Sequence, residues 1–166
     1  MLENRYDVVV VGGGHAGVEA ALICDFLGVS VAIITMDTNA ISRMSCNPAI
    51  GGLAKGQMVR EIDVLGGVMA ETTDQSGLQF KTLNKSKGRA VWSPRAQVDK
   101  RLYERRILKK IKSSSVSIIQ SEAIAVDIKK NRIRSVALRS GEKIKCLSLI
   151  LTAGTFLSGV IHIGER

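Results

Sequence analysis

The stretch Tyr6-Asp7-Val8-Val9-Val10-Val11-Gly12-Gly13-Gly14-His15-Ala16-Gly17-Val18-Glu19-Ala20-Ala21 decides the fold. Tyr6 to Val11 is a short β-branched run and predicts a strand buried on both faces. It leads directly into Gly12-x-Gly14-x-x-Gly17, and apolar residues at helical spacing follow. Strand, glycine turn and helix in that order form the dinucleotide-binding fingerprint. Gly12 permits the tight turn, Gly14 admits backbone close to a pyrophosphate, and Gly17 lets the helix lie against the strand. The free N–H groups and positive dipole end of that helix suit phosphates. The glycines alone are a weak signal, and the flanking strand and helix give them weight.

Working outward, the first helix is predicted over Ala16–Leu27, with Ala16, Ala20, Ile23, Cys24 and Leu27 on its core face and Gly28 as its stop. Cys24 reads as a small core residue. Ser30 to Thr35 is the second parallel strand and completes a β-α-β unit over residues 6–35. Such units commonly place Asp or Glu at the end of this strand for the ribose hydroxyls, and here Thr35 stands there, followed by Met36 and Asp37. Asp37 is either a ribose ligand after a register shift or a turn residue.

A loop and helical excursion is expected over residues 36–112. Asp37 to Gly52 reads as a long loop, because Pro48 and the pair Gly51-Gly52 oppose regular structure. Its specific residue types favour function. Leu53–Leu65 is a predicted helix anchored by Leu53, Val59, Ile62 and Leu65, and Gly66-Gly67 ends it. Val68–Thr73 reads as a further helical turn, Leu78–Leu83 as a short strand, and Asn84–Arg89 as a basic turn. A helix is predicted over Ala96–Lys112, with Ala96, Tyr103, Ile107 and Ile111 on its apolar face and Arg101, Arg105, Lys109 and Lys112 as a basic stripe. The third parallel strand (Val116–Gln120), a meander (Ala123–Lys129, Arg132–Arg139) and a return strand (Lys143–Leu151) into Thr152-Ala153-Gly154 occupy residues 116–155. The fold class is therefore α/β.

With 166 residues, 45% of them hydrophobic, the composition fits one globular domain. No apolar run reaches the ~18 residues of a membrane span. Cys24, Cys46 and Cys146 have spacings of neither a disulfide framework nor a metal site, so no metal is expected and a reducing, cytoplasmic setting is. The net charge is +9, and Arg95 to Lys112 holds eight basic against two acidic side chains. Such a field suits a polyanion such as RNA or phosphate-rich ligands; a solvated helix face is the plainer alternative.

Beyond the fingerprint, the specific segment is Met44-Ser45-Cys46-Asn47-Pro48-Ala49-Ile50-Gly51-Gly52, followed by Lys55-Gly56, Leu65-Gly66-Gly67, Ser86-Lys87-Gly88, Arg95-Ala96-Gln97 and Gly154-Thr155-Phe156-Leu157. In these residues, and over almost its whole length, the chain resembles the glucose-inhibited division protein A family, the MnmG-type tRNA uridine-modifying flavoproteins. The resemblance implies a Rossmann-like FAD-binding domain of the glutathione-reductase type with a small antiparallel β-meander. It also implies non-covalent FAD, NADH as reductant, homodimers and a partner GTPase of the MnmE type. The implied activity adds a carboxymethylaminomethyl or aminomethyl group at the 5-position of the wobble uridine of tRNA, with methylene-folate as one-carbon donor.

Site residues follow from the same resemblance. Gly12, Gly13, Gly14, His15, Ala16 and Gly17 would hold the FAD pyrophosphate, with His15 a loop residue near the phosphates and not a general base. Thr35 stands at the ribose position. Ala123, after Glu122, would meet the adenine through its backbone, and Thr152, Ala153 and Gly154 would make the second close approach. Cys46 is the candidate catalytic nucleophile, with a structural loop cysteine as the alternative. Lys55, Lys87 and Arg95 are either phosphate or folate-carboxylate ligands or surface charge. Family members are several times longer, so the chain is expected to be the N-terminal part of the FAD-binding domain, without the NADH-binding and C-terminal helical domains. The expectation is then weak FAD binding and no complete tRNA modification by this chain alone. Two other readings are a non-catalytic FAD- or nucleotide-binding remnant of a split gene and an NAD-dependent dehydrogenase.

Overall fold

The computed structural model describes residues 5–45, 47–157 and 159. The opening stretch folds as β1 (Arg5–Val11), α1 (His15–Phe26) and β2 (Val31–Thr35). β1 and β2 run parallel, with Val8 opposite Val31 and Val11 opposite Ile34. All five residues of β2 are buried, as a strand covered on both faces requires. Gly28 follows α1 at φ +73, the left-handed conformation in which a helix commonly stops.

The buried face of α1 differs from the expected one. Gly17, Val18 and Ala21 are buried, whereas Leu27 is 68% exposed. The reason lies at Gly17, where a Cβ would strike the Gly12 carbonyl, so the helix is rotated to put this glycine against the sheet.

The chain continues through β3 (Ala49–Gly51), α2 (Lys55–Val64), α3 (Met69–Ser76), β4 (Gly77–Leu83), β5 (Ser93–Val98) and α4 (Lys100–Lys112). Three expectations are corrected here. Thr38–Ala40 forms a 3-10 turn and Ala49–Gly51 a strand inside the predicted loop; Pro48 sits just before the strand, where its missing N–H costs nothing, and its carbonyl accepts from Val98 N at 2.8 Å. The predicted helix over Ala96–Lys112 begins only at Lys100, because Asp99 caps it by accepting from Leu102 N at 2.9 Å. Ala96 instead lies in the central strand of a small antiparallel sheet ordered β3-β5-β4. On α2, Val59 and Ile62 are half-buried, but Leu53 and Leu65 are 61% and 75% exposed and anchor nothing among the described residues.

The remaining elements are β6 (Ser117–Gln120), β7 (Ala123–Lys129), β8 (Arg132–Leu138) and β9 (Lys143–Leu151). They complete a six-stranded sheet ordered β6-β2-β1-β9-β8-β7. β6 is parallel to β2, β9 is parallel to β1, and β7 and β8 pair antiparallel. Lys130 and Asn131 turn the hairpin with φ of 50° and 57°, the geometry of a two-residue turn matched to strand twist.

Alternation along β1 and β2 sends side chains to both faces. Val10 and Ile33 join Val18, Ala21, Tyr103, Ile107 and Ile111 under α1 and α4. Val9 and Ile34 join Val136, Leu138, Ile144 and Cys146 of the meander. The helices thus cover one face of the parallel strands, and side chains of the meander strands, joined to the same sheet through β9, pack on the other. The excursion is tied to them by Glu19, whose carboxylate accepts from Met69 N at 2.7 Å and Val68 N at 3.0 Å at the start of α3. Between α3 and α4, Lys110 pairs with Glu71 at 2.6 Å. Among the described residues no helix is long and apolar enough to cross a membrane.

Candidate functional site: a glycine cradle at the strand ends

The carboxyl ends of the parallel strands define the site, as they do in open α/β sheets. Val11 lies opposite Ile34 on one side and Leu151 on the other, so Gly12, Thr35 and Thr152 emerge in one row. Gly12 turns at φ +109 and donates its N–H to the Ile34 carbonyl at 2.9 Å. Thr152 locks the row from the other side. Its N–H donates to the Val11 carbonyl at 2.9 Å, and its hydroxyl lies 2.9 and 3.1 Å from the carbonyls of Val11 and Gly12.

The three fingerprint glycines meet different surroundings. A Cβ on Gly12 would strike the Thr152 carbonyl, and one on Gly17 would strike the Gly12 carbonyl and come within 2.7 Å of the Thr152 hydroxyl. Gly14 has open space where its Cβ would be. It is the residue before α1, has extended backbone, and offers no side chain to cap the helix. The first N–H groups of α1 therefore open onto the space over Gly14, which fits the pyrophosphate of a dinucleotide held by backbone alone. Gly154, at φ +58, likewise has nothing within 4 Å of its Cβ position.

Thr35 is buried, and its hydroxyl lies 3.3 Å from the Asp37 carbonyl and packs against Gly13, where a Cβ would come within 3.0 Å. Asp37 serves the turn: its carboxylate accepts from Asn39 N at 2.8 Å and pairs with Arg43 at 3.5 Å. The row extends to the adenine-side candidate through Gln120, which pairs with Thr35, and Ser121, whose N–H donates to the Thr35 carbonyl at 2.9 Å. Ala123 follows and is half-buried, while its neighbour Glu122 is held by Arg139 at 2.7 Å. The structure thus brings Gly12, Gly13, Gly14, Gly17, Thr35, Ala123, Thr152, Ala153 and Gly154 to one edge of one sheet.

His15 is placed differently from a phosphate-facing loop residue. It is the first residue of α1, and its ring lies 5.7 Å from the Tyr103 ring. Its Nε2 is buried without a partner among the described residues, and so is the Tyr103 hydroxyl. Burial holds the imidazole below its ordinary value, and Glu104 pushes it partly back. Burial raises the Tyr103 phenol further, with Glu19 adding to the shift. His15 and Ala16 therefore offer the cradle their backbone N–H groups.

Ser42 is a residue that the sequence did not point to. At φ 53 it sits in the left-handed region, its N–H donates to the Gly13 carbonyl at 2.9 Å, and its hydroxyl is buried. With buried Ile41 and Met44, and with Met44 N donating to Glu104 at 3.1 Å, it ties the loop after β2 to the cradle and to α4. No local signal marks it, because a serine with positive φ is dictated by those tertiary contacts. Cys46, two residues beyond Met44, lies outside the described residues. Among the described residues no group of His, Cys, Asp and Glu is arranged to hold a metal ion.

A family model described as "Glucose inhibited division protein A" matches residues 7–166. The chain is 48% identical over 165 residues to the "tRNA uridine 5-carboxymethylaminomethyl modification enzyme MnmG" of Endomicrobium trichonymphae, covering 99% of this chain and 28% of that protein. A protein of the same description from Sulfurihydrogenibium is 51% identical, with 98% and 27% covered. Among solved structures, Aquifex aeolicus GidA superposes with a TM-score of 0.94 at 46% identity, over 100% of this chain and 28% of that one. PqsL of Pseudomonas aeruginosa shares the fold at a TM-score of 0.65 and 18% identity, over 91% of this chain and 43% of that one. The chain spans little more than a quarter of the length of the curated relatives it matches.

Proposed function

The chain belongs to the glucose-inhibited division protein A family, and from that membership we propose that it is the cofactor-holding portion of an FAD-dependent enzyme that modifies the wobble uridine of tRNA. The observation that carries this reading is the match over residues 7–166 to relatives described as tRNA uridine 5-carboxymethylaminomethyl modification enzymes. In this reading residues 1–166 form the N-terminal part of the FAD-binding domain, with a β-α-β unit at 6–35, an excursion at 36–112, and the third strand, meander and return strand at 116–155. The remaining length of the relatives supplies the NADH-binding and helical regions. The working enzyme is cytoplasmic and dimeric, takes hydride from NADH, and acts with an MnmE-type GTPase and a methylene-folate.

Bound FAD would supply redox chemistry, and the chain's residues would hold and orient it. Backbone N–H groups of Gly13 to Gly17 bind the pyrophosphate, and Gly14 leaves the room for it. Thr35 bounds the ribose side without an acidic ligand, Ala123 meets the adenine through its backbone, and Thr152 to Gly154 make the second approach. Cys46 is the nucleophile: its thiolate adds to C6 of the uracil, the new S–C bond leaves C5 nucleophilic, and loss of the C5 proton after transfer expels the thiolate.

A chimera tests the reading. Residues 1–166 replace the matching segment of Aquifex aeolicus GidA, and wobble-uridine modification is read by mass spectrometry of tRNA nucleosides. The chimera is expected to modify tRNA, and Cys46→Ser to abolish modification with FAD still bound. Unimpaired modification by Cys46→Ser would remove the nucleophile, and a folded chimera without FAD would remove the cofactor assignment.

A further inference from the structure

Beneath the glycine cradle, α1 meets α4 along a seam that holds unpaired polar groups. His15 Nε2, the Tyr103 hydroxyl and the Ser42 hydroxyl are buried in or beside it without a partner among the described residues. Buried polar atoms are nearly always paired, so three in one neighbourhood call for a reason. Ser42 reaches the cradle through its N–H on the Gly13 carbonyl, and His15 reaches it as the first residue of α1. Tyr103 is fully buried on α4, and its ring lies against that of His15.

Carboxylates flank the imidazole. Glu104 of α4 is the charged group that acts on the ring, and its carboxylate accepts from Met44 N at 3.1 Å. Glu19 lies one turn along α1, acts on Tyr103, and is fixed by Val68 N and Met69 N. On the cationic side, Lys100 begins α4 one turn before Glu104 without pairing to it among the described residues, and Arg43 of the loop after β2 is engaged by Asp37. The carboxylates favour an imidazolium, and burial opposes it. His15 is therefore neutral in the free chain but close to gaining a proton. It is also the titratable residue of α1 nearest the end of the helix that attracts anions. With Nε2 out of water, salt screens that attraction little.

We propose that His15 couples the cradle to proton uptake: an anion seated on the N-terminus of α1 draws one proton from solvent onto the imidazole, and Glu104 and Glu19 hold the imidazolium in place. That anion is the pyrophosphate of the FAD proposed above, and the coupling rests on that reading. His15 is a positioning residue, acting on the cofactor through its charge and through the first turn of α1. By linkage, an anion that favours the imidazolium binds more tightly as pH falls through the histidine range. FAD itself neither gains nor loses a proton between about pH 5.5 and 8, so the dependence belongs to the protein.

The test is an NMR titration of the imidazole C–H resonance between about pH 5.5 and 8, in a His162→Gln background that leaves His15 as the one histidine of the chain. It is run on the chain alone, with saturating FAD and with inorganic pyrophosphate, and FAD affinity is measured by flavin fluorescence over the same range. FAD is expected to raise the His15 midpoint by about one pH unit, the scale of a nearby charge at a partly buried site. FAD affinity should rise at least about three-fold from pH 8 to 5.5, toward the roughly ten-fold that a one-unit change implies. His15→Phe, which keeps a ring against Tyr103, should bind FAD with a flat pH profile. A midpoint that neither anion raises, or a His15→Phe chain that keeps the pH dependence, overturns the proposal. FAD that binds and leaves the midpoint in place overturns it while the cofactor assignment stands. If FAD does not bind and pyrophosphate still raises the midpoint, the cofactor assignment fails and the proton coupling stands.

Discussion

Gly14 and Gly17 belong to one motif but answer to opposite constraints. At Gly17 a methyl group would meet the Gly12 carbonyl and the Thr152 hydroxyl, so helix and sheet must separate. Gly17→Ala is expected to destabilise the fold by about 1–3 kcal/mol, read from the urea midpoint. At Gly14 the space is open and φ is −72°, which alanine adopts freely. Gly14→Ala should move the midpoint less than Gly17→Ala, by no more than the loss of a favoured N-cap glycine, and weaken dinucleotide binding, because its methyl occupies the phosphate approach. His15 makes a pH prediction. Its folded-state value lies below the ordinary one, chiefly through burial, so below the ordinary histidine value the unfolded chain takes up a proton that the folded chain refuses. Stability should fall as pH drops from 7.5 to 5.5, and His15→Phe should flatten that dependence in urea melts. The glycines' roles were legible in the sequence because backbone geometry alone dictates them. The inward turn of His15 was not, since it depends on Tyr103, far along the chain.

At the scale of elements, local signals and non-local pairings separate cleanly. The strand–turn–helix at 5–26, the hairpin around Lys130-Asn131 and the α4 face of Tyr103, Ile107 and Ile111 follow from periodicity and turn chemistry. β3 and β5 do not, because each is short and its partner is distant: Ala49 pairs with Gln97 and Gly51 with Arg95. Ala96 happens to fall in helical phase with Tyr103, and that coincidence extends the predicted helix backwards across Asp99. Asp99 is the actual boundary. Asp99→Ala should cost about 1 kcal/mol by leaving the start of α4 uncapped, and Asp99→Asn should restore most of it, both read by denaturant unfolding. Ile111, fully buried in the α1–α4 core, should cost about 2–5 kcal/mol on replacement by alanine.

Across the whole molecule, the binding environment is set by the carboxyl ends of the parallel strands. The cradle at the ends of β1, β2 and β9 is made of backbone and small residues, which suits a cofactor bound by shape. The family resemblance was legible in the Met44–Gly52 segment, yet the position of that loop came only from the structure, where Ser42 and Met44 fasten it between the cradle and α4. Whether the cradle holds FAD is decided by a flavin fluorescence titration of the purified chain, repeated with Gly14→Val. Saturable FAD binding that NAD does not displace is expected, and Gly14→Val should abolish it while the chain stays folded. Equal FAD binding by Gly14→Val, or displacement of FAD by NAD at comparable concentration, would contradict it.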